Sequence, residues 1–203
     1  AADCIVVHVD DAGAEYPVRI DPTFSDADWM SMNTSVPGAQ GDVLAVAAYG
    51  SDIYIGGNFT FVGGVPANRV AKWNGTAWSA LGSGVNGPVY AMHFDGSQLY
   101  IGGAFTQASG VANTAYIAQW NGSAWQALGT GANGAVNALV KNGSNLYAGG
   151  SFTLAGGVAG TSRIAMWNGS AWSALGSGMD GTVNALAKNG PGNIYAGGDF
   201  TTA

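Results

Sequence analysis

The chain has 203 residues, which is enough for one domain or two small domains with a buried core. Charged residues make up only 9% of the chain and 34 residues are Gly, so the composition excludes a coiled coil and a charge-rich disordered chain. Only six residues are Lys or Arg and the formal net charge is −6, which argues against a nucleic acid partner.

Residues 1–42 form an acidic segment that holds eight of the twelve acids and a single base, Arg19. Phe24 and Trp29 stand five residues apart, as Trp73 and Trp78 do later, so we predict N-terminal strands here. The carboxylates offer the oxygen ligands that Ca²⁺ prefers, but their spacing matches no EF-hand loop and Asp also favours turns. We assign no metal site and leave calcium binding open. The carboxylates are those of Asp10, Asp11, Glu15, Asp21, Asp26 and Asp28.

From residue 43 onward the sequence repeats with a period of 46 or 47 residues. Each unit begins with Val and contains a Gly-Gly pair, and each complete unit also has two Trp residues five positions apart. A period of this length is typical of propeller blades or helical arrays. We divide the region into units 43–88, 89–135 and 136–182 and a half-unit, 183–203.

Short apolar runs bounded by turns predict four strands in each unit, labelled A to D. In the third unit, residues 136–139 are strand A and residues 146–148, after a Gly-containing turn, are strand B. Strands C and D flank an Asn-Gly dipeptide, which predicts a type I′ hairpin turn. About one Gly in six residues would destabilise helices, so a helical array is excluded.

The sequence therefore predicts an all-β fold, a β-propeller of four-stranded antiparallel blades. A single small sheet cannot bury both faces, whereas blades arranged around an axis bury them against each other. The segments Leu99–Gly103, Ile117–Trp120 and Trp125–Leu128 resemble kelch-like propeller repeats, in a form similar to those of secreted bacterial multidomain proteins. The resemblance covers residues 43–203 and implies a fold rather than an activity.

Three arrangements fit the repeats, because strands C and D predicted around Trp29 complement the half-unit 183–203. The two ends of one chain could form a composite blade in a four-bladed ring, or two chains could share composite blades in an eight-bladed ring. The third arrangement is an excerpt of a longer protein, and we favour it. Exposed blade edges also predict self-association.

Two repeated motifs have functional interpretations that their positions disfavour. A G-x-G-x-x-G pattern begins at Gly82, Gly129 and Gly176, but a strand is expected after it, where a dinucleotide site needs a helix. The six Trp residues of the units keep a constant phase in the strands, which favours packing between blades over carbohydrate stacking.

Catalytic groups are scarce in this sequence. His8 and His93 are the only histidines, Glu15 is the only glutamate, and no G-x-S-x-G motif occurs. His93 stands where the other units have Ala or Val, and we interpret it as a local variation. We therefore predict no enzyme activity and no cofactor.

The candidate ligand-binding residues are those at which the blades differ, because a symmetric scaffold gains a unique site only at divergent positions. They follow the Gly-Gly pairs or lie in the B–C and D–A connections, which emerge on one face of a blade. The candidates are Asn58, Asn86, Gln107, Asn133, Ser151 and Asp180.

These observations predict a noncatalytic, extracellular or cell-surface module that acts as a binding platform or structural scaffold. Its ligand is a protein or a glycan of unknown identity, and no segment predicts membrane insertion. The alternative is a lectin with repeated carbohydrate pockets between blades, whose avidity would come from identical sites. A kelch-like enzyme is a weaker alternative.

Overall fold

The structure, a computed structural model, describes residues 38–203, and all fifteen regular elements in that range are β-strands. The strands predicted around Trp29 and the acidic cluster lie outside the described residues. The first strands are β1 (Ala39–Tyr49), β2 (Asp52–Val62), β3 (Val65–Pro66), β4 (Val70–Trp73), β5 (Trp78–Ala80), β6 (Val89–Phe94), β7 (Leu99–Gly103), β8 (Ile117–Trp120) and β9 (Trp125–Gln126). They are followed by β10 (Val136–Asn142), β11 (Asn145–Gly150), β12 (Ile164–Trp167), β13 (Trp172–Ala174), β14 (Val183–Lys188) and β15 (Ile194–Gly198).

The strands form four sheets, one for each repeat unit. Blade 1 has the order β1-β2-β4-β5, with the short β3 paired to β2. Blade 2 is β6-β7-β8-β9, blade 3 is β10-β11-β12-β13, and the half-blade consists of β14 and β15. The first strands of consecutive blades pack side by side, β1 on β6, β6 on β10 and β10 on β14. This arrangement confirms the all-β prediction of four-stranded antiparallel blades in an incomplete propeller.

Blade 1 begins earlier than the repeat pattern indicates. Ala39 pairs with Val62 and Gly41 pairs with Phe59, so the β1–β2 hairpin extends beyond the hairpins of the other blades. The predicted boundary between residues 42 and 43 therefore falls inside β1.

The tight hairpin between strands C and D is present in all three complete blades, but the predicted type I′ turn is wrong. Between β4 and β5, only Gly75 has a positive φ, of 92°. A type I′ turn requires a positive φ at both central residues, whereas a positive φ at the first central residue alone matches the φ pattern of a type II′ turn. The cause is the Asn74 side chain, whose Oδ1 accepts hydrogen bonds of 2.9 Å from the N–H groups of Thr76 and Ala77. These bonds form an Asx turn and shift the chain reversal by one residue.

The Gly-Gly pairs reflect the way in which consecutive blades meet. A Cβ on Gly102 would lie 2.5 Å from Cγ1 of Val136, the first residue of strand A in blade 3. A Cβ on Gly103 would collide with the carbonyl oxygen of Pro88, where strand A of blade 2 has a β-bulge. Because the first Gly has no side chain, the next blade can pack against it. Because the second has none, the backbone of its own blade can come close to it. The other pairs that meet in the first way are Gly56 with Val89 and Gly149 with Val183.

The hydrophobic core lies mainly between blades. One cluster joins blades 1 and 2 around Leu99, Ile101 and Phe105, and another joins blades 2 and 3 around Leu146 and Phe152. All five side chains are buried. Each blade thus covers a face of its neighbour.

The repeated Trp residues attach each blade to the preceding one. The buried Trp125 donates a 2.9 Å hydrogen bond from Nε1–H to the carbonyl oxygen of Leu81, at the end of blade 1. Trp172 donates an equivalent bond of 2.8 Å to Leu128. Within each complete blade the two Trp ring centroids lie 5.3–5.5 Å apart. The prediction that these residues pack between blades is confirmed for the Trp residues of blades 2 and 3, whose clusters span two blades, whereas Trp78 packs against a cluster of blade 1 alone.

Candidate functional site

The connections of the meander emerge on two opposite faces of the propeller. The A–B and C–D turns lie on one, which we call the turn face, and the B–C and D–A connections lie on the other, the loop face. All six candidate residues are predicted to lie on the loop face. All six are exposed in the structure.

Three of the candidates, Asn86, Asn133 and Asp180, have side chains that hold the loop face together. Oδ1 of Asn86 accepts hydrogen bonds of 2.8 and 2.9 Å from the N–H groups of Thr106 and Gln107. Asn133 accepts equivalent bonds from residues 153 and 154, and Asp180 accepts them from residues 201 and 202. These side chains thus clamp the D–A connection to the B–C connection, which gives this repeat position a structural role.

The remaining candidates have different surroundings. Asn58 lies in β2, and Ser151 follows β11, where its carbonyl oxygen accepts a hydrogen bond from the Arg163 guanidinium. Gln107 and Asn86 share a cleft of about 350 Å³ between blades 1 and 2, which we call the loop cleft. The structure thus brings two of the six candidates together in one cavity. The polar residues of the loop cleft are Asn68, Arg69, Ser83, Asn86, Gln107 and Ser109.

The polar lining of the loop cleft is only partly repeated in the sequence of the next interface. One period later, Asn68 is replaced by Ala115 and Gln107 by Leu154. These substitutions remove hydrogen-bonding side chains that a carbohydrate would need. The lectin alternative requires equivalent pockets, so it loses support between blades 2 and 3.

A second cavity lies on the turn face, at the ends of the A strands, and we call it the turn basin. It has a volume of about 360 Å³ and is lined by all three blades and the half-blade. On its aromatic side, the Phe94 ring lies 5.0 Å from the Tyr54 ring and 5.2 Å from the Tyr49 ring. The side chains that line the basin are Tyr49, His93, Phe94, Asp95, Lys141 and Lys188.

Lys141 and Asp95 form an ion pair that joins blades 2 and 3 inside the basin, and both side chains are mostly buried. Oδ1 of Asp95 also accepts hydrogen bonds of 3.0 and 2.8 Å from the N–H groups of Ser97 and Gln98. Burial opposes the charged form, but the Lys141 ammonium and the N–H donors outweigh it and hold the pKa of Asp95 well below its usual range. The Lys141 ammonium also lies 5.2 Å from the centre of the Tyr100 ring.

His93 and Lys188 complete the polar side of the turn basin. Burial lowers the pKa of His93; Asp95 opposes this effect, and the positive charges of Lys141 and Lys188 add to it. These effects favour the neutral form of the imidazole. Lys188, at the end of β14, is exposed and forms no ion pair with any residue in the range 38–203.

Sequence reasoning did not identify the turn basin, although it singled out His93 as a divergent position. A usable signal was present. The chain has only six Lys and Arg residues, and two of them, Lys141 and Lys188, occupy the same repeat position, directly after that of His93. Their convergence depends on the placement of the blades, which the spacing alone does not specify.

The described range offers little support for metal or dinucleotide chemistry. Residues 38–203 contain no group of three or more His, Cys, Asp or Glu side chains placed to hold a metal ion. The three G-x-G-x-x-G segments lead into β6, β10 and β14 rather than into helices. In the same range, no helix has the length and apolar character needed to cross a membrane.

Comparisons with known proteins agree with this architecture. The family model described as the Rax2 C-terminal beta propeller domain matches residues 27–140, more than half of the chain. The computationally designed Ika4 protein has a similar structure, with a TM-score of 0.54 and 17% identity over 80% of this chain and 88% of its own. The computationally designed Ika8 protein gives a TM-score of 0.53 and 17% identity over 79% of this chain and 44% of its own. A search of curated proteins gave no match.

Proposed function

The chain belongs to the Rax2 C-terminal beta propeller domain family, and from that premise we propose that it is a noncatalytic binding platform whose ligand docks in the turn basin. The proposal includes an extracellular or cell-surface location, which the resemblance of the repeats to those of secreted proteins implies. The kelch-like character of the repeats and a bacterial secreted source stay predictions. Propellers host unrelated functions, so the site rather than the fold indicates the function of this chain.

The observation that carries the proposal is the convergence of scarce basic groups. His93, Lys141 and Lys188 come from three consecutive A strands and line one basin. The two ammonium groups and the single Asp95 carboxylate leave one net positive charge there, in a chain whose net charge is −6. Concave sites with a few convergent polar groups are the usual location of ligand binding.

The chemistry of the basin favours a ligand that carries a carboxylate. Lys188 is exposed at the end of β14 and supplies an ammonium without an ion-pair partner in the described range. Burial and the two lysines lower the pKa of His93, and a bound anion would offset part of that effect. Tyr49 and Phe94 offer an apolar wall for the rest of the ligand. An acidic peptide and an acidic sugar share this chemistry.

A binding role fits the basin better than catalysis. Asp95 is held by Lys141 and by two N–H groups, so its carboxylate is not available as a general base. His93 stands beside positive charges that disfavour the imidazolium which a general base must form. Both groups therefore contribute to the shape and the charge of the basin.

The test is binding of a glutamate-rich peptide and of galacturonate, followed by NMR of the His93 ring. We expect binding to raise the pKa of His93. Lys188→Gln should weaken binding of whichever probe binds the unaltered chain, by about two- to five-fold, as removal of one exposed ion pair does. The control is Lys72→Gln, because Lys72 pairs with Asp52 at 2.7 Å and does not line the basin. Equal losses in both variants, or no binding of either probe, would contradict the proposal.

A neutral sugar in the loop cleft is the second candidate, and the polar side chains between blades 1 and 2 favour it. A glycan array distinguishes the candidates. Binding of neutral glycans that Gln107→Ala abolishes would assign a lectin site to the loop cleft. We expect the array to show no neutral ligand.

A further inference from the structure

The loop cleft between blades 1 and 2 holds a positive charge with no negative charge beside it. Arg69, directly before β4, lines the cleft, and no carboxylate lines it. Nη1 of Arg69 donates a 3.2 Å hydrogen bond to the carbonyl oxygen of Val85 in the D–A connection. Among residues 38–203, Arg69 forms no ion pair and its buried Nε has no hydrogen-bond partner. A guanidinium has five N–H donors, so Arg69 retains donors for a ligand.

Hydrogen bonds within and between the two blades fix the walls of the loop cleft. Nδ2 of Asn68 donates a 3.0 Å bond to the carbonyl oxygen of Ser83, which ties the D–A connection to blade 1. Oγ of Ser109 accepts a 3.0 Å bond from the N–H of Ser83 and donates a 3.2 Å bond to the carbonyl oxygen of Gly84, which ties the same connection to blade 2. Asn86 clamps it to blade 2 as well. The cavity is thus preorganised, and a ligand does not have to order it.

Three polar groups that line the loop cleft are not used in these bonds. The Gln107 amide and the Ser83 hydroxyl are exposed, and neither side chain has a hydrogen-bond partner in the described part of the chain. Oδ1 of Asn68 accepts no bond there either. Such groups match sugar hydroxyls, each of which can donate and accept a hydrogen bond. Val85 is the one apolar side chain among the described lining residues, so the cleft offers little to an apolar ligand.

The equivalent loop-face positions at the other described interfaces lack this combination of charges. Tyr116 has the place of Arg69 in blade 2, so no cation stands there. Arg163 has that place in blade 3 with the same backbone conformation, a φ of 66° against 65°, but its Nη1 donates to a carbonyl oxygen of its own blade. The D–A connection after it has Asp180 where the loop cleft has Asn86, and that carboxylate would repel an anion. The positive φ therefore belongs to the repeat, whereas the unopposed charge belongs to the loop cleft.

We propose that the loop cleft is a second ligand site, which binds the acid group of an acidic sugar through Arg69. The planar fork of a guanidinium matches the oxygen atoms of a carboxylate or a sulfate, and two parallel hydrogen bonds make the contact specific. Gln107 and Ser83 then bind hydroxyl groups of the same sugar. A uronate and a sulfated sugar share this chemistry. The loop cleft shares no lining residue with the turn basin, so the two sites are independent.

The test is a titration of the isotope-labelled chain with galacturonate, galactose sulfate and uncharged galactose, followed by NMR. The backbone N–H of Ser83 reports on the loop cleft and the ring of His93 reports on the turn basin, so binding at each site is measured separately. We expect the acids, and not galactose, to shift the Ser83 signal. A shift with galacturonate alone would assign the site to uronates, and a shift with galactose sulfate alone would assign it to sulfated sugars.

Four variants test how the acid is held. Arg69→Gln removes the charge and the fork and should weaken binding in the loop cleft by about ten-fold. Arg69→Lys keeps the charge without the fork and should lose less. Arg163→Gln is the matched control, because Arg163 has the same repeat position and lines neither cavity, and it should leave the affinity unchanged.

The fourth variant, Gln107→Leu, introduces the residue of the next interface at an exposed side chain without a described partner, so it should fold even where a change at Arg69 does not. It should weaken binding by about two- to five-fold, as loss of one hydrogen bond does. Circular dichroism verifies that each variant keeps its β structure.

Three results would overturn the inference. The first is a Ser83 signal that neither acid shifts, whatever happens at His93. The second is galactose binding as tightly as the acids, because the charge would then not be recognised. The third is an equal loss of affinity in Arg69→Gln and Arg163→Gln. A pKa of His93 that stays unchanged during the titration would bear on the turn basin alone, so failure of this inference and failure of the proposed function are distinguishable.

Discussion

The interface between blades 2 and 3 and the open face of the half-blade have the same sequence pattern but differ in burial. At the interface, Gly102 receives Val136 and the neighbouring Tyr100 is buried. At the half-blade, Gly197 receives no residue of the described range and Tyr195 is more than half exposed. The Gly-Gly and Tyr positions therefore encode contact with the next blade rather than the stability of their own sheet.

This difference separates two sources of stability in a propeller. Hydrogen bonds between strands hold each sheet together, and the half-blade retains them between β14 and β15. Burial at the Gly-Gly and Tyr positions compared here depends on a neighbouring blade, and burial supplies most of the favourable free energy. Substitutions at equivalent positions should consequently have unequal effects at the complete interface and at the open face.

The largest effect is expected for Trp125→Ala, at the interface between blades 1 and 2. It removes a buried ring and the hydrogen bond to Leu81, so the free energy of unfolding should fall by about 3–5 kcal/mol. Denaturant unfolding measures the change. Tyr195→Ala removes an aromatic ring at the open face and should cost less than about 1 kcal/mol. Similar losses for the two variants would show that aromatic content, and not blade contact, sets the stability.

A smaller effect is expected when a methyl group is added to the Gly-Gly pairs. Gly102→Ala places a Cβ 2.5 Å from Cγ1 of Val136, so the two blades must move apart, at a cost of about 1–3 kcal/mol. Gly197→Ala meets no described atom within 4 Å and should change stability by about 0.5 kcal/mol or less. Thermal unfolding of both variants at low protein concentration tests the difference. An equal loss would mean that Gly is required for the strand itself.

Much of the fold could be predicted from the sequence, because its determinants are local and repeated. The period, the short apolar runs and the position of Gly102 predict strands that meet other strands closely. The hairpin turn was predicted with the wrong type because the Asn74 side chain competes for the backbone N–H groups, an effect that dipeptide preferences do not contain.

The candidate sites depend on contacts between residues one period apart, and the sequence indicates these only weakly. Asn86 and Asn133 occupy the same repeat position, and their side chains bind backbone groups about 20 residues later and stabilise the loops. Asp95 and Lys141 are 46 residues apart and pair because consecutive A strands lie side by side. A polar residue in these connections can therefore have a structural or a functional role, and only the placement of the blades distinguishes the two.

The smallest effect is expected at the ion pair that links the A strands of blades 2 and 3. Asp95→Asn keeps the side-chain shape and removes the charge, so the free energy of unfolding should fall by about 1 kcal/mol near neutral pH. The folded state lowers the pKa of Asp95 below its ordinary value of 3.8, so the contribution is complete above that pH. The stabilising contribution of the Asp95 charge is lost as the pH falls toward the lowered pKa. The free energies of unfolding of the unaltered chain and of Asp95→Asn should become equal there. Asp52→Asn, which removes the more exposed pair with Lys72, should have a smaller effect. A difference for Asp95→Asn that persisted at the lowest pH would show that the carboxylate charge is not its cause.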